Sequence, residues 1–196
     1  STVATDNRAG GRLGGKRLGE VLGGKGKVIL VRYQEGSAST ADREAGFLDA
    51  MKEFPELVLV STDQYAGATR ETALTACQNL LNRFADIQGV FTPNESSTAG
   101  MALALQERNL AKTIKNVGFD ASLPLIEALD QGRIQGLVVQ DPFQMGYLGV
   151  KTLATVIAGG AVPKQTDTPV QLVTPDNRNQ PAIKDLLNPP LAQYLP

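Results

Sequence analysis

Histidine is absent from all 196 residues. That removes histidine acid–base catalysis, the Ser–His triad and most zinc sites at once. Tryptophan is absent too, and cysteine occurs once, as Cys77. A lone cysteine forms no intramolecular disulfide. Cys77 lies in "TALTACQNLLNRF", a helical pattern, where it reads as a small core residue rather than a nucleophile. Neither charge sign dominates: 19 Lys and Arg stand against 20 Asp and Glu, a net charge of −1. No basic block exists, which argues against nucleic acid as a partner, because neutralising phosphates takes clustered cations. No apolar run approaches the ~20 residues of a membrane span. No signal-peptide pattern is present, so the compartment has to be inferred on other grounds. The length suffices for one good core or two small lobes.

Glycine, by contrast, is plentiful, and it gathers in "GGRLGGKRLGEVLGGKGK" from Gly10 to Lys27. Two windows here approach the phosphate-binding pattern G-x-x-x-x-G-K-[ST]. In one, Arg17 stands where a hydroxyl is required, and in the other Gly26 does. The stretch also precedes the first clear strand, whereas a phosphate loop follows one. A helix fits better. Asp6 or Asn7 can cap it, and Leu13, Leu18, Val21 and Leu22 supply an apolar side. Gly11, Gly15 and Gly19 recur every four residues and share a face. Such a ridge costs helix stability, which is tolerable where another backbone must pass close by. Gly23 or Gly24 then takes the left-handed position at the helix end.

Strand-like and helix-like segments alternate from there on. "KVILVRY" (27–33), "ELVLVSTD" (56–63), "IQGVFTPN" (87–94), "IKNVGFD" (114–120) and "IQGLVVQD" (134–141) read as strands. Helical patterns at 40–54, 69–85, 97–110, 123–132 and 143–160 separate and follow them, and "VQLVTPD" (170–176) reads as a last short strand. This predicts an α/β fold: a doubly wound parallel sheet with helices on both faces and right-handed crossovers. The expected strand order is the flavodoxin-like 2-1-3-4-5. The continuous apolar runs suit strands covered on both faces.

In such sheets ligands bind outside the carboxyl ends of the strands. The residues there are Arg43 after the first strand, Asp63 and Tyr65 after the second, Asn94 and Glu95 after the third, Asp120 after the fourth, and Gln140 and Asp141 after the fifth. For any one of them a turn or helix-capping role is as good a reading as ligand contact. Together they form a set suited to a sugar. Carboxylates and amides read hydroxyls, arginine donates a fixed fork, and an aromatic ring covers a C–H face. No nucleophile–base pair is evident. Asp120 with Asp63 or Glu95 could be imagined as a glycosidase pair, but Arg43, Asn94 and Gln140 look like recognition. No metal or cofactor site is expected.

At these residues the chain resembles the type I periplasmic sugar-binding proteins of bacterial ABC importers, and most of all their ribose-binding branch. The resemblance is carried by "ATDNRAGG", "REAGF", "VFTPNES", "VGFD" and "VVQDPFQMGYLGV", in order along nearly the whole chain. It implies a Rossmann-like second lobe in which Arg43, Asn94, Asp120 and Gln140 are sugar ligands. It places Tyr65 where that branch carries phenylalanine, so the ring is kept and a hydroxyl added. It implies a hinge segment at 1–7, the sugar-binding lobe at 8–140, a hinge and crossover helix at 141–169 belonging to a first lobe that is missing here, and a return strand and tail at 170–196. It also implies a monosaccharide ligand, importer membrane subunits as partners, no enzymatic activity, and a periplasmic or extracytoplasmic location.

Two other readings compete. The effector domain of a lac-repressor-type regulator shares the fold, and a flavodoxin-like α/β enzyme would share the sheet. "QDPFQMGYLGV" is more like the importer proteins, and neither histidine nor a cofactor fingerprint supports the enzyme. Within the helix at 143–158, Phe143, Tyr147, Val150, Leu153, Ala154 and Ile157 form an apolar stripe. With no first lobe to cover, this helix is expected to fold back beside the fifth strand or to pair with another copy of the chain.

Overall fold

The computed structural model describes residues 1–189 and 191–193; residues 190 and 194–196 of the expected tail lie outside the described residues. A first strand, β1 (Thr2–Thr5), leads into α1 (Asn7–Val21). Asp6 caps α1 by accepting from the Ala9 amide at 2.9 Å. At its other end Gly23 and Gly24 both adopt positive φ, +64° and +78°, the left-handed termination that glycine permits. The glycine-rich stretch is therefore a helix.

Five βα units follow: β2 (Lys25–Leu30), α2 (Ala38–Met51), β3 (Glu56–Ser61), α3 (Arg70–Arg83), β4 (Gly89–Phe91), α4 (Glu95–Glu107), β5 (Lys115–Phe119), α5 (Leu123–Asp130), β6 (Gly136–Gln140) and α6 (Pro142–Ile157). The chain continues through β7 (Gln165–Thr168), β8 (Val170–Val173) and α7 (Pro181–Leu187). The main sheet has the order β3-β2-β4-β5-β6-β8. Its first five strands are parallel and have the expected 2-1-3-4-5 arrangement.

Both faces of this sheet are covered, as the apolar strands require. Val28, Leu30, Phe91, Val117, Phe119 and Val138 point toward α1 and α2, where Leu18, Phe47 and Met51 meet them. The intervening residues Ile29 and Val90 join Leu80, Met101 and Leu105 on the opposite face. Leu137, Val139 and Val173 pack with Leu125, Leu129 and Ile183. Phe47 and Phe91 stack with ring centroids 4.5 Å apart, and burying each such side chain is worth about 1.5–3 kcal/mol.

The α1–α2 contact explains the glycine ridge. A Cβ on Gly11 would stand 1.8 Å from the Arg43 carbonyl oxygen, and one on Gly15 would stand 2.7 Å from the Ala50 Cβ. Above this crossing, Asp49 accepts from Lys52, Arg8 and Arg12. The bonds from Lys52 and Arg8 hold its carboxyl down at about 2.

The edge of the sheet departs from expectation. α6 does not fold back beside β6. That place is taken by β8, antiparallel, with Leu137 opposite Val173 and Gln140 opposite Val170. A strand pairs the backbone donors and acceptors of the β6 edge, which a helix cannot do. Instead α6 lies against β1 and buries none of its residues. Tyr147, Val150, Leu153 and Ile157 are 55–78% exposed. Two strands were also missed: β1 and β7 form a separate parallel pair, with Thr2 opposite Gln165 and Thr5 opposite Thr168.

Candidate functional site

The carboxyl ends of β4, β5 and β6 and the first half of α2 converge on one cluster. Arg43 comes from α2 and is only 5% exposed. A buried guanidinium needs partners. Its Nε donates to Asn7 Oδ1 at 2.8 Å, and its Nη1 to the Pro93 carbonyl at 2.9 Å. Its Cζ lies 4.0 Å from the centre of the Phe119 ring, a cation–π geometry. Burial pulls the Arg43 pKa down from its ordinary value, while the negative charge of Asp120 opposes that shift. The remaining guanidinium N–H groups are donors available to something else.

Asp120 follows β5 with φ +70°, the left-handed region. Aspartate visits this region more readily than most residues, and such conformations gather at functional sites. The backbone there is pinned by its own amide, which donates to the Val138 carbonyl at 2.8 Å. The carboxylate is held from two sides. Gln140 Nε2 donates to Oδ1 at 2.6 Å, and the Glu95 amide donates to Oδ2 at 3.1 Å.

Asn94 stands between two of these anchors, since its neighbours are Pro93 and Glu95. It occupies the N-cap position of α4, yet its side chain makes no capping bond to the helix amides. Its Oδ1 accepts from the Ser97 hydroxyl at 2.6 Å, and its Nδ2 donates to the Ser96 hydroxyl at 2.9 Å. Arg43, Asn94, Asp120 and Gln140 are thus brought together, with Asn94, Asp120 and Gln140 half-buried.

Tyr65 lies apart from this network. It follows β3, at the far side of the sheet, and bridges to Arg32. The Arg32 guanidinium sits 4.6 Å from the centre of the Tyr65 ring. Arg32 Nε in turn donates to Glu44 at 2.8 Å, which raises the Arg32 pKa. Tyr65 lines both a hollow of about 600 Å³ along α3 and one of about 200 Å³ beside Ser37 and Glu44.

The carboxylates imagined as glycosidase partners of Asp120 have partners of their own. Glu95 is engaged by Arg70 and by the Ser122 hydroxyl at 2.7 Å. Asp63 is exposed and accepts from Ser61 at 3.2 Å. Among the described residues, no group of three or more acidic or cysteine side chains is placed to hold a metal.

Three contributors escaped the sequence reading. Asn7, read as a cap, is a partner of Arg43. Thr5, read as hinge, donates to Gln140 Oε1 at 2.9 Å. Phe119, read only as part of a strand, carries Arg43 on its face. A signal for Phe119 existed: side chains alternate along a strand, so Phe119 shares the face of Val117 that α1 covers and that Arg43 of α2 reaches.

Residues 1–161 match the family model described as a periplasmic binding protein domain. The chain belongs to that family. The ribose import binding protein of Escherichia coli (strain K12) is 33% identical over 172 residues, covering 88% of this chain and 56% of that protein. Its counterpart from Haemophilus influenzae is 31% identical, with 88% and 57% covered. A carbohydrate transporter solute binding protein from Agrobacterium radiobacter, solved in complex with D-arabinose, superposes with a TM-score of 0.91 at 35% identity, covering 96% of this chain and 65% of that one. A solute binding protein from Agrobacterium vitis with bound D-fucose gives 0.88 at 34% identity, with 94% and 63% covered. The chain spans little more than half the length of these curated relatives.

Proposed function

We propose that this chain is a sugar-binding lobe of the solute-binding component of a bacterial ABC importer, working in the periplasm or another extracytoplasmic space. On this reading Arg43, Tyr65, Asn94, Asp120 and Gln140 contact a monosaccharide, and the chain transfers ligand rather than transforming it. The arrangement around Asp120 carries the proposal. A carboxylate whose two oxygens each take one protein donor keeps lone pairs for two more. Unused N–H groups of Arg43 and Gln140 stand beside it. Adjacent sugar hydroxyls, each both donor and acceptor, match that mixture. The relatives solved with D-arabinose and D-fucose support the same ligand class.

The same reading assigns 1–7 and 141–169 to hinge and crossover, 8–140 to the lobe itself, and 170–196 to a return strand and tail. The stripe on α6 then meets a first lobe or a second copy of the chain, and the importer's membrane subunits are the remaining partners. One lobe supplies only part of a cleft, so the chain alone is expected to bind sugar weakly.

Calorimetric titration of a two-lobed version carrying this chain, with a panel of pentoses and hexoses, tests the assignment. Asp120→Ala removes a charged acceptor and should cost about 2–3 kcal/mol of affinity. Normal binding by that variant would overturn it.

A further inference from the structure

We infer that Thr5 is a positioning residue of this site, anchoring Gln140 so that its amide nitrogen is presented to Asp120. The inference rests on the proposed reading of the cluster and extends it to a residue on β1 that touches no part of Asp120 or Arg43 in the bonds described above.

The argument begins with proton direction. An ionised carboxylate only accepts, so the atom of Gln140 that lies 2.6 Å from Asp120 Oδ1 is its Nε2. The amide oxygen must then point the other way, where it needs a donor. Thr5 Oγ1 is that donor, at 2.9 Å. The Thr5 hydroxyl has a single proton, and its alternative acceptor, Met145 Sδ, lies at 3.6 Å. An amide oxygen at the shorter distance is the stronger acceptor, since a thioether sulfur accepts weakly. The hydrogen bonds therefore run one way: from Thr5 to Gln140, and from Gln140 to Asp120.

An anchor must itself be fixed. Thr5 is 5% exposed and pairs with Thr168 in the β1–β7 ladder. The next amide, that of Asp6, donates to the Thr168 carbonyl at 3.2 Å, and the Thr168 hydroxyl donates to the Ala4 carbonyl at 3.2 Å. Gln140 stands at the last position of β6, and the bonds to Asp120 and Thr5 hold the two ends of its amide. Losing its oxygen-side partner would release Gln140 into several rotamers and weaken its bond to Asp120.

Two substitutions separate positioning from packing. Thr5→Val keeps the shape and deletes the hydroxyl; Thr5→Ser keeps the hydroxyl and deletes the methyl. In the unliganded chain, the Gln140 side-chain amide is followed by ¹⁵N-correlated NMR. Positioning requires Thr5→Val to move both amide protons toward free-glutamine shifts and to speed their exchange with water, while Thr5→Ser leaves them as in the parent. Thr5→Ala deletes the hydroxyl as well and gives the same readout if valine disturbs the fold. Unchanged amide signals in Thr5→Val, or equal loss in Thr5→Ser, would overturn the inference.

Titrating a two-lobed version carrying this chain with D-ribose and D-arabinose adds the functional arm. Thr5→Val should weaken binding about fivefold to tenfold, the effect of one hydrogen bond, and Thr5→Ser should not. Gln140→Ala judges the site reading separately. If Gln140→Ala binds as the parent does, the site assignment fails whatever Thr5 does to the amide. If Gln140→Ala weakens binding and Thr5→Val does not, the positioning role alone fails.

Discussion

Gly11 lies directly against the backbone of Arg43, so that a Cβ at Gly11 would stand 2.6 Å from the Arg43 carbonyl carbon and 2.8 Å from its Cα. A helix backbone cannot yield as a flexible side chain does. Gly11→Ala must therefore push α1 and α2 apart and carry Arg43 away from Asn7 and Pro93. Helix propensity alone would favour alanine by about 1 kcal/mol; overpacking costs about 1–3 kcal/mol or more, and here it wins. Gly11→Ala should lower the urea midpoint. Gly146, in α6, has nothing within 4 Å of its Cβ position, and Gly146→Ala should raise helix content by circular dichroism. Equal behaviour of the two variants would refute the close-approach argument.

This contact also shows what the sequence could and could not convey. The four-residue spacing of Gly11, Gly15 and Gly19 announced that something passes close to one helix face, but not that it was the segment bearing Arg43. Apolar runs in strict alternation with helical patterns were enough for the parallel order, because local periodicity reports burial on each face. β1 and β7 gave no such signal: "QTDT" is short and polar, and its pairing with β1 spans most of the chain. The expected fold-back of α6 beside β6 fails for a related reason. Its stripe was legible, but the free edge of β6 was claimed by a strand whose register no local pattern reveals. Asn94, Asp120 and Gln140, which the fold brings together, are legible from their places at strand ends. Thr5 and Asn7 are not, since their roles arise only when residues more than thirty positions away arrive beside them.

Asn116, on β5, is fully buried, and neither its Nδ2 nor its Oδ1 has a hydrogen-bond partner among the described residues. Its backbone is secured to Gln135, whose Oε1 accepts from the Asn116 amide at 2.7 Å. The side chain therefore bears a desolvation cost of about 1–3 kcal/mol. Asn116→Leu has a similar shape and no polar atoms, and it should stabilise the chain by about 1 kcal/mol. A higher urea midpoint with an unchanged m-value would bear this out. A lower one would show that the amide is satisfied in solution.

Cys77 is fully buried on the core-facing side of α3, and burial pushes its thiol up to about 12 from an ordinary value of 9.0. The folded protein thus keeps the thiol protonated where the unfolded chain ionises it. Its effect on stability is nil below about pH 9 and grows as a loss between pH 9 and 12. Cys77→Ala leaves a small cavity and should be less stable than the parent at pH 8. The gap between the two should narrow as pH rises toward 11, because only the parent carries the thiol. Parallel denaturation curves across that range would contradict the shift. At pH 8 the native thiol should react with iodoacetamide only through unfolding.

The proposed partner of the α6 stripe, a first lobe or a second copy of the chain, can be tested directly. Tyr147 and Val150 are 55% and 71% exposed, and Leu153 and Ile157 continue the same stripe at 60% and 78%. Contiguous apolar exposure of this kind marks a surface that another surface covers. Because these side chains pack on nothing within the sheet domain, Tyr147→Ser with Val150→Ser should leave the unfolding midpoint nearly unchanged, within about 0.5 kcal/mol. The same pair of substitutions should matter for association. Each large apolar side chain covered by a second copy is worth about 1.5–3 kcal/mol, so losing two should weaken a dimer by more than a hundredfold. Sedimentation of the parent should shift with concentration, and that of the double variant should stay at the monomer. A parent that is monomeric at all concentrations would rule out the second copy and leave a first lobe as the proposed partner of α6. A large fall in midpoint for the variant would show instead that α6 packs against the chain's own sheet.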